Sequence, residues 1–146
     1  MKFRMIDSSW EDIFKDALRT DSSLLRIVCP FVKEAVVRRL LKQNKPRALQ
    51  VLTRFNLSDF YDGVSDTTAM RMLLRQGAHI RGIKGLHAKL YLFGRRRVIV
   101  TSANLTDAAL SRNHEFGFVA EDVEIIKRCH DYFDDLWRKA GKNLSN

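Results

Sequence analysis

Two spacings of apolar residues recur along the 146-residue chain and predict both helices and strands. Apolar residues three and four apart predict amphipathic helices; these cover 10–20, 32–42, 65–76 and 122–139. Short apolar or alternating runs predict strands; these cover 24–29, 48–52, 78–83, 87–93, 98–101 and 116–119. Helices that alternate with strands predict an α/β fold, which we expect to be a layered α-β-α sandwich with a central mixed, largely parallel sheet.

Local signals predict how these elements begin and connect. Ser8 and Glu11, three residues apart before an apolar run, predict a capping box with Ser8 as the N-cap residue. The strand–helix–strand order over 24–52 predicts a right-handed parallel crossover, and 94–96 between two strands predicts a hairpin turn. We expect one domain over 1–146, because no linker or internal repeat is evident. A domain of this size can also be the catalytic part of a larger protein.

The charge balance points to a polyanionic partner. Lys and Arg number 26 against 17 Asp and Glu, a formal net charge of +9. A small domain with this excess most often binds nucleic acid. The alternative on charge alone is a basic surface that serves only solubility.

Cysteine use and hydropathy predict a cytoplasmic protein. Cys29 and Cys129 lie on predicted apolar stripes and lack the spacing of a metal site, so we expect free thiols in a reducing compartment. No segment reaches the roughly 18–20 apolar residues of a membrane span, and the first residues lack the apolar core of a signal peptide. These features predict no membrane partner.

Reactive residue types concentrate between His87 and Glu115. His87 and Lys89 alternate with apolar residues and therefore share one side of a predicted strand. The return strand of the predicted hairpin delivers Ser102 and Asn104 to the neighbouring strand end, and a third strand begins just after Glu115. We expect the five side chains to converge, and this set suits a phosphodiester.

The chemistry of these five groups predicts a role for each. Neutral imidazole attacks phosphorus, and Glu115 can fix the ring of His87 through a hydrogen bond to its second nitrogen. Lys89 and Asn104 can hold the non-bridging phosphate oxygens and stabilise charge in the transition state. Ser102 can add a hydrogen bond to the phosphate. A second histidine for the leaving oxygen is missing, and a two-fold axis between two copies of the chain would supply it.

His87-x-Lys89, followed by Ser102-x-Asn104 and Glu115, resembles the phospholipase D superfamily, named after its His-Lys-Asp motif. The segment from Thr101 to Asn104 corresponds to the family's Gly-Ser-x-Asn, with Thr where Gly is usual, and the resemblance is sharp over 80–120. It implies a phosphohistidine intermediate and no metal or other cofactor. A single motif copy resembles the small nucleases of the family, which implies a homodimer through the active-site face, with one His87 as nucleophile and the other as general acid.

One position departs from the family pattern. The motif Asp, five residues after the Lys, falls on Gly94, so no role can be carried over for that carboxylate.

Several further residues are candidates for substrate contact. Thr106 is expected to cap a short helix whose amide end faces a bound phosphate. Arg54 begins a connection that can face the substrate, with Arg54 near a phosphate and Phe60 or Tyr61 stacked on a base. The alternative is an ordinary surface loop. The remaining candidates are solvent-exposed arginines that can contact DNA backbone or simply be solvated; they are Arg95, Arg96 and Arg112. We expect His79, His114 and His130 to be structural.

The sequence therefore predicts a metal-independent phosphodiesterase, an endonuclease acting on DNA in preference to RNA, with no base-reading residues of its own. It would be the nuclease domain of a restriction or repair enzyme. Two alternatives remain: a nucleic-acid-binding module that kept the fold without cutting, which Gly94 favours, and a lipid phosphodiesterase.

Overall fold

The computed structural model describes residues 2–55 and 66–145. Its strands are β1 (Phe3–Ile6), β2 (Leu25–Val28), β3 (Leu49–Arg54), β4 (His79–Ile83), β5 (Leu90–Phe93), β6 (Arg97–Thr101) and β7 (Gly117–Ala120). Its helices are α1 (Trp10–Thr20), α2 (Glu34–Leu41), α3 (Thr67–Arg75) and α4 (Val123–Lys139), with a short π-helical turn at Ala108–Arg112. The seven strands form one sheet in the order β1-β7-β6-β5-β2-β3-β4.

Helices cover both faces of this sheet, as the predicted α-β-α sandwich requires. Alternate residues of β5 enter different cores: Tyr91 and Phe93 pack in the cluster that contains α1, α2 and α3. Leu90 and Leu92 pack on the other face, in the cluster that contains α4. The strand is buried on both sides because each face of the sheet has its own helical layer.

The sheet is mixed, but the prediction that it is largely parallel was wrong. Only β2–β3 and β3–β4 are parallel among the described strands, whereas β2–β5, β5–β6, β6–β7 and β1–β7 are antiparallel. The connections after β4, β5 and β6 each re-enter the sheet at the end where they left it, and such a connection reverses the strand direction. The edge strand β1 escaped prediction because three of its four residues are exposed and carry no burial pattern.

The predicted capping box is also absent from the described start of α1. Ser9 precedes this helix directly, with φ of 60° and no side-chain cap, while the Ser8 hydroxyl donates to Asp7. The Glu11 carboxylate accepts from Lys15 and Arg39 instead of reaching back to the helix start. Charge-assisted hydrogen bonds to two cations outweigh the neutral cap.

The two ends of the sheet carry different residues. At the His87 end, β2, β3, β4 and β6 finish while β5 and β7 begin. At the hairpin end, residues 94–96 join β5 to β6, with the predicted turn closed by a hydrogen bond from the Arg96 N–H to the Phe93 carbonyl. No helix within the described ranges is long and apolar enough to cross a membrane.

Candidate active site

The five predicted catalytic residues flank three neighbouring strands at the His87 end. His87 and Lys89 lie just before β5, Ser102 and Asn104 just after β6, and Glu115 two residues before β7. The Thr101 N–H donates to the Lys89 carbonyl at 3.2 Å, which continues the β5–β6 pairing to the site. The strand pairing therefore brings the segments that carry these residues to one end of the sheet.

Ser102 and Glu115 form a fixed pair. The Ser102 hydroxyl donates to Glu115 Oε1 at 2.6 Å and accepts from the Phe116 N–H at 3.1 Å. The Asn113 amide donates to Glu115 Oε2 at 3.3 Å. Both carboxylate oxygens are thus held by hydrogen bonds.

The predicted hydrogen bond from Glu115 to His87 is not formed within the described chain. The Glu115 oxygens are occupied by Ser102 and Asn113, which lie closer to it along the β6–β7 pair. The His87 ring is exposed and has no hydrogen-bond or ion-pair partner among residues 2–55 and 66–145. An imidazole with free nitrogens is available to a ligand or to a second copy of the chain.

Lys89 acts electrostatically on the buried Cys29. Its side chain is partly buried, and its positive charge is near enough to favour ionisation of the Cys29 thiol, although burial raises the pKa of that thiol overall. No carboxylate of the described chain pairs with this ammonium. Within that part of the chain, its charge is therefore uncompensated next to His87.

Asn104 is held by its carbonyl oxygen. Oδ1 accepts from the Phe31 N–H at 3.2 Å and from the Cys29 thiol at 3.5 Å. Since a side-chain amide has one carbonyl and one NH₂ group, this orientation leaves Nδ2 as the free donor. The described chain supplies no acceptor for Nδ2, so it can donate to a phosphate oxygen.

Sequence reasoning missed the two side chains beneath Asn104. The Tyr91 hydroxyl donates to the Ala103 carbonyl at 2.9 Å, and the Leu105 N–H donates to Cys29 Sγ at 3.4 Å. Burial raises the pKa of Tyr91 well above its ordinary value, so the hydroxyl stays a donor. Tyr91 follows Lys89 by two residues on the same strand face, and that spacing was the available signal.

The structure places some of the predicted substrate contacts at the His87 end of the sheet. Arg54 ends β3 at the His87 end, with its guanidinium 4.7 Å from the centre of the Phe31 ring. Phe60 and Tyr61 lie outside the described residues. The Thr106 hydroxyl accepts from the Ala109 N–H at 3.2 Å, so it caps the π-helical turn, which ends at the exposed Arg112.

Arg95 and Arg96 cannot join the site. They form the tip of the β5–β6 hairpin, at the opposite end of β5 from Lys89. Six residues of extended chain separate Lys89 from Arg95, a span of about 20 Å at roughly 3.3 Å per residue. Contact of these two arginines with a DNA backbone away from the catalytic centre stays a prediction, because a hairpin reverses the chain at the far end of its strands.

The conformation of Gly94 shows why an Asp does not fit at this position of the family motif. Its φ is +57°, and a Cβ built on it would lie 2.0 Å from Oδ2 of Asp21. Its carbonyl accepts from His130 Nε2 at 2.7 Å. The position of the missing motif Asp is at the hairpin end, so its replacement removes no group from the His87 end.

Within the described ranges, neither a group of possible metal ligands nor a cavity indicates a second reaction centre. Among residues 2–55 and 66–145, no three His, Cys, Asp or Glu side chains are grouped as metal ligands. A depression of about 540 Å³ lies between α1 and β1, but its Arg97 is bound to Asp16 and Glu121. Cys29 and Cys129 are free thiols, as expected.

Comparison with known proteins agrees with this geometry. The family described as "Cardiolipin synthase, PLD-like domain" matches residues 15–137, and no curated protein matches the sequence. Among solved structures, the chain is similar to Nuc from Salmonella typhimurium, a phospholipase D family member, with a TM-score of 0.79, 16% identity and 99% of both chains covered. It is also similar to NucT from Helicobacter pylori, with a TM-score of 0.75 and 13% identity, over 97% of this chain and 98% of that one.

A third similar structure is TrmBL2, an archaeal chromatin protein. Its TM-score is 0.66 at 12% identity, and the match covers 97% of this chain but 54% of TrmBL2. These likenesses show the fold, and the family match over most of the sequence supports a phosphodiesterase of the phospholipase D type. The chain belongs to the phospholipase D superfamily.

Proposed function

We propose that this protein is a metal-independent nuclease that cleaves DNA with His87 as its nucleophile. One observation carries the proposal: within the described chain, an exposed imidazole without a partner stands next to an unpaired ammonium, while the surrounding polar groups are held in place. Preorganised donors around a free nucleophile are what phosphoryl transfer requires of a protein.

The proposed reaction has two steps. A neutral His87 nitrogen attacks phosphorus, the P–N bond forms, the P–O bond to the leaving group breaks, and a general acid protonates the leaving oxygen. Water then attacks phosphorus, gives its proton to that same group acting as base, and breaks the P–N bond. Lys89 and Asn104 Nδ2 stabilise the negative charge on the non-bridging oxygens in both steps.

The general acid is proposed to be His87 of a second copy of the chain. A homodimer through the active-site face would place two symmetry-related rings at one phosphate. Phe116, the residue after Glu115, is an apolar side chain with 58% exposure. An exposed apolar side chain beside the site supports this interface.

DNA is the proposed substrate because a net charge of +9 favours a polyanionic partner, most often a nucleic acid. We also propose that residues 1–146 form one catalytic domain acting in the cytoplasm, with sequence specificity supplied by another domain or partner of a restriction or repair system. The two free thiols fit that compartment.

An assay in EDTA tests the proposal. Plasmid DNA should be cleaved in excess EDTA by the wild-type protein and left intact by His87→Ala, and sedimentation should show a dimer at assay concentration. Loss of cleavage in EDTA, or equal cleavage by the variant, contradicts the proposal. A monomer at every concentration contradicts the shared site.

A non-catalytic DNA-binding module is the second candidate, and the likeness to TrmBL2, an archaeal chromatin protein that binds DNA, favours it. Gly94 no longer supports it, because that position is remote from His87. Binding of plasmid without hydrolysis of plasmid or of a chromogenic phosphodiester would establish this candidate. Turnover of phosphatidylglycerol vesicles but not DNA would instead establish a lipid phosphodiesterase.

A further inference from the structure

The hairpin end of the sheet carries a row of cations that no acid of the described chain neutralises. The exposed basic residues of this row follow β5, precede β3 or precede β4; they are Arg95, Arg96, Lys42, Lys45, Arg47 and Arg75. None of these side chains has a hydrogen bond or ion pair with residues 2–55 or 66–145. We call this set the hairpin-end row.

Several cations on the helix surfaces are paired instead. Arg38 pairs with Glu34, Lys127 with Asp131 and Arg138 with Asp135, each three or four residues away on the same helix. Such pairs cancel charge locally. The hairpin-end row differs from these residues because its six exposed cations lie at one end of the sheet without such a partner in the described chain.

Two acids lie near the hairpin strands. Asp134 pairs with Arg26 at 3.0 Å. Asp21 accepts from the Ser23 hydroxyl at 2.6 Å, lies against Gly94 and keeps its negative charge. One such charge is smaller than that of the six unpaired cations, so the row presents a net positive surface to solvent.

Backbone contacts fix the layout of this surface. The Gly94 N–H donates to the Leu24 carbonyl, and the Arg47 N–H donates to the Ser22 carbonyl, so the hairpin and the segment before β3 both border the start of β2. Two strand spacings of about 4.8 Å place these flanking segments about 10 Å apart. That separation equals about three base-pair steps along the DNA axis at about 3.4 Å each, so the two segments can reach different phosphates of one duplex.

We propose that the hairpin-end row is a second DNA-binding surface, separate from the catalytic centre, which grips duplex phosphates without reading sequence. It rests on the proposed function only in taking DNA as the polyanion. A membrane is the weaker partner, because the exposed large apolar residues at this end of the sheet, Phe3 and Val123, lie at the β1–β7 edge, away from the β5–β2–β3–β4 side that carries the row. In a dimer joined at the His87 ends, both rows would face outward.

Two triple variants of equal net charge test this surface. Arg47→Ser, Arg95→Ser and Arg96→Ser remove three of the six cations of the row, whereas Arg38→Ser, Lys127→Ser and Arg138→Ser remove three helix cations that have acid partners. Binding of a 20-base-pair duplex is measured by anisotropy against KCl concentration in the His87→Ala background. A failure of the proposed nuclease activity therefore leaves the binding test intact.

The row variant should bind about 10- to 100-fold more weakly at 0.15 M KCl, and its slope of log K against log salt should fall by up to about 2.7, or about 0.9 per lost phosphate contact. The helix variant should change little, and both triples with His87 intact should hydrolyse a chromogenic diester at the wild-type rate. Equal loss in both triples, no loss in either, or a loss seen only with phosphatidylglycerol vesicles overturns the proposal.

Discussion

Two histidines at opposite ends of the same sheet show what separates a candidate nucleophile from a structural residue. His87 is exposed and has no partner within the described chain. His130 is 5% exposed, donates from Nε2 to the Gly94 carbonyl at 2.7 Å, and contacts Arg26 through Nδ1 at 3.0 Å. Because a carbonyl only accepts, Nδ1 is the acceptor from Arg26, and the ring is neutral with both nitrogens used.

The same contrast extends to the cations of the two ends. At the His87 end, the ammonium of Lys89 pairs with no carboxylate of the described chain. The groups around it are fixed by hydrogen bonds, as a reaction centre requires. At the hairpin end, His130 uses both ring nitrogens and Asp134 pairs with Arg26, while the unpaired cations lie on the surface. An unpaired nucleophile among fixed groups indicates chemistry, whereas unpaired cations on the surface indicate binding.

The largest expected effect comes from exchanging the two histidines for glutamine separately. His87→Gln should lose cleavage by about 10⁴-fold or more, since the nucleophile is gone, with an unchanged melting temperature. His130→Gln should lower the melting temperature and keep its activity per folded molecule. Both variants are compared with the wild type by EDTA-resistant cleavage and thermal unfolding. Activity lost in His130→Gln and kept in His87→Gln would contradict the assignment of His87 as nucleophile and His130 as structural.

Lys89→Ala tests the free ammonium of the same end. Turnover of a chromogenic diester should fall by about 10²- to 10³-fold because charge on the phosphate loses its counter-ion. The matched control is Arg96→Ala at the hairpin end, which should leave this small-substrate rate unchanged. Near-normal rates in Lys89→Ala would remove it from the site.

Glu115→Gln tests whether the fixed carboxylate acts by charge. The amide can keep one hydrogen bond to Ser102, so the fold should persist while turnover falls by about 10- to 100-fold. The companion Ser102→Ala separates the contact from the charge and should lose less. An unchanged rate in Glu115→Gln would limit that residue to holding the β6–β7 segment together.

Acid should weaken the hairpin end through His130. Burial lowers the pKa of this ring below its ordinary 6.5, with Arg26 and Arg95 in the same direction and Asp134 and the Gly94 carbonyl opposing. As pH falls below about 6.5, the unfolded chain takes up a proton that the folded chain refuses. The free energy of unfolding that His130 contributes above about pH 6.5 is therefore lost as pH falls from the unfolded pKa to the folded pKa. Below the folded pKa, this residue causes no further loss.

Denaturant titrations between pH 7.5 and 5 measure this loss. The free energy of unfolding should fall with a slope below about 1.4 kcal/mol per pH unit from this one group. The His130→Gln variant should show a correspondingly flatter profile than the wild type. Parallel profiles for the two proteins would exclude His130 as a source of the acid sensitivity.

The smallest effect is expected beneath Asn104. Tyr91→Phe removes the donor to the Ala103 carbonyl and should cost about 1 kcal/mol of stability, since one hydrogen bond is lost without a cavity. Because Asn104 then loses support, kcat should fall several-fold while KM changes less. An equal fall in Tyr91→Phe and in a remote variant of matched stability would assign Tyr91 a structural role alone.

The sequence predicted the alternating core of β5, the hairpin and the four helices, because each depends on a local period of apolar residues. It also predicted that the segments of His87, Ser102 and Glu115 would meet, since paired strands carry residues next to their ends to one place. Strand direction was not predictable from those periods, because it depends on the route of each connection. The Cys29–Tyr91 contacts depend on pairing between β2 and β5, which no local pattern encodes.

The proposed chemistry is best tested by identifying the residue that carries the intermediate. The protein is incubated with a chromogenic phosphodiester in EDTA, quenched in alkali, which preserves phosphohistidine, and digested for peptide mass mapping. We predict a phosphoryl adduct on His87, with none on His130 and none in His87→Ala. Turnover without an adduct on His87, or an adduct on any other residue, would contradict the assignment of His87 as nucleophile.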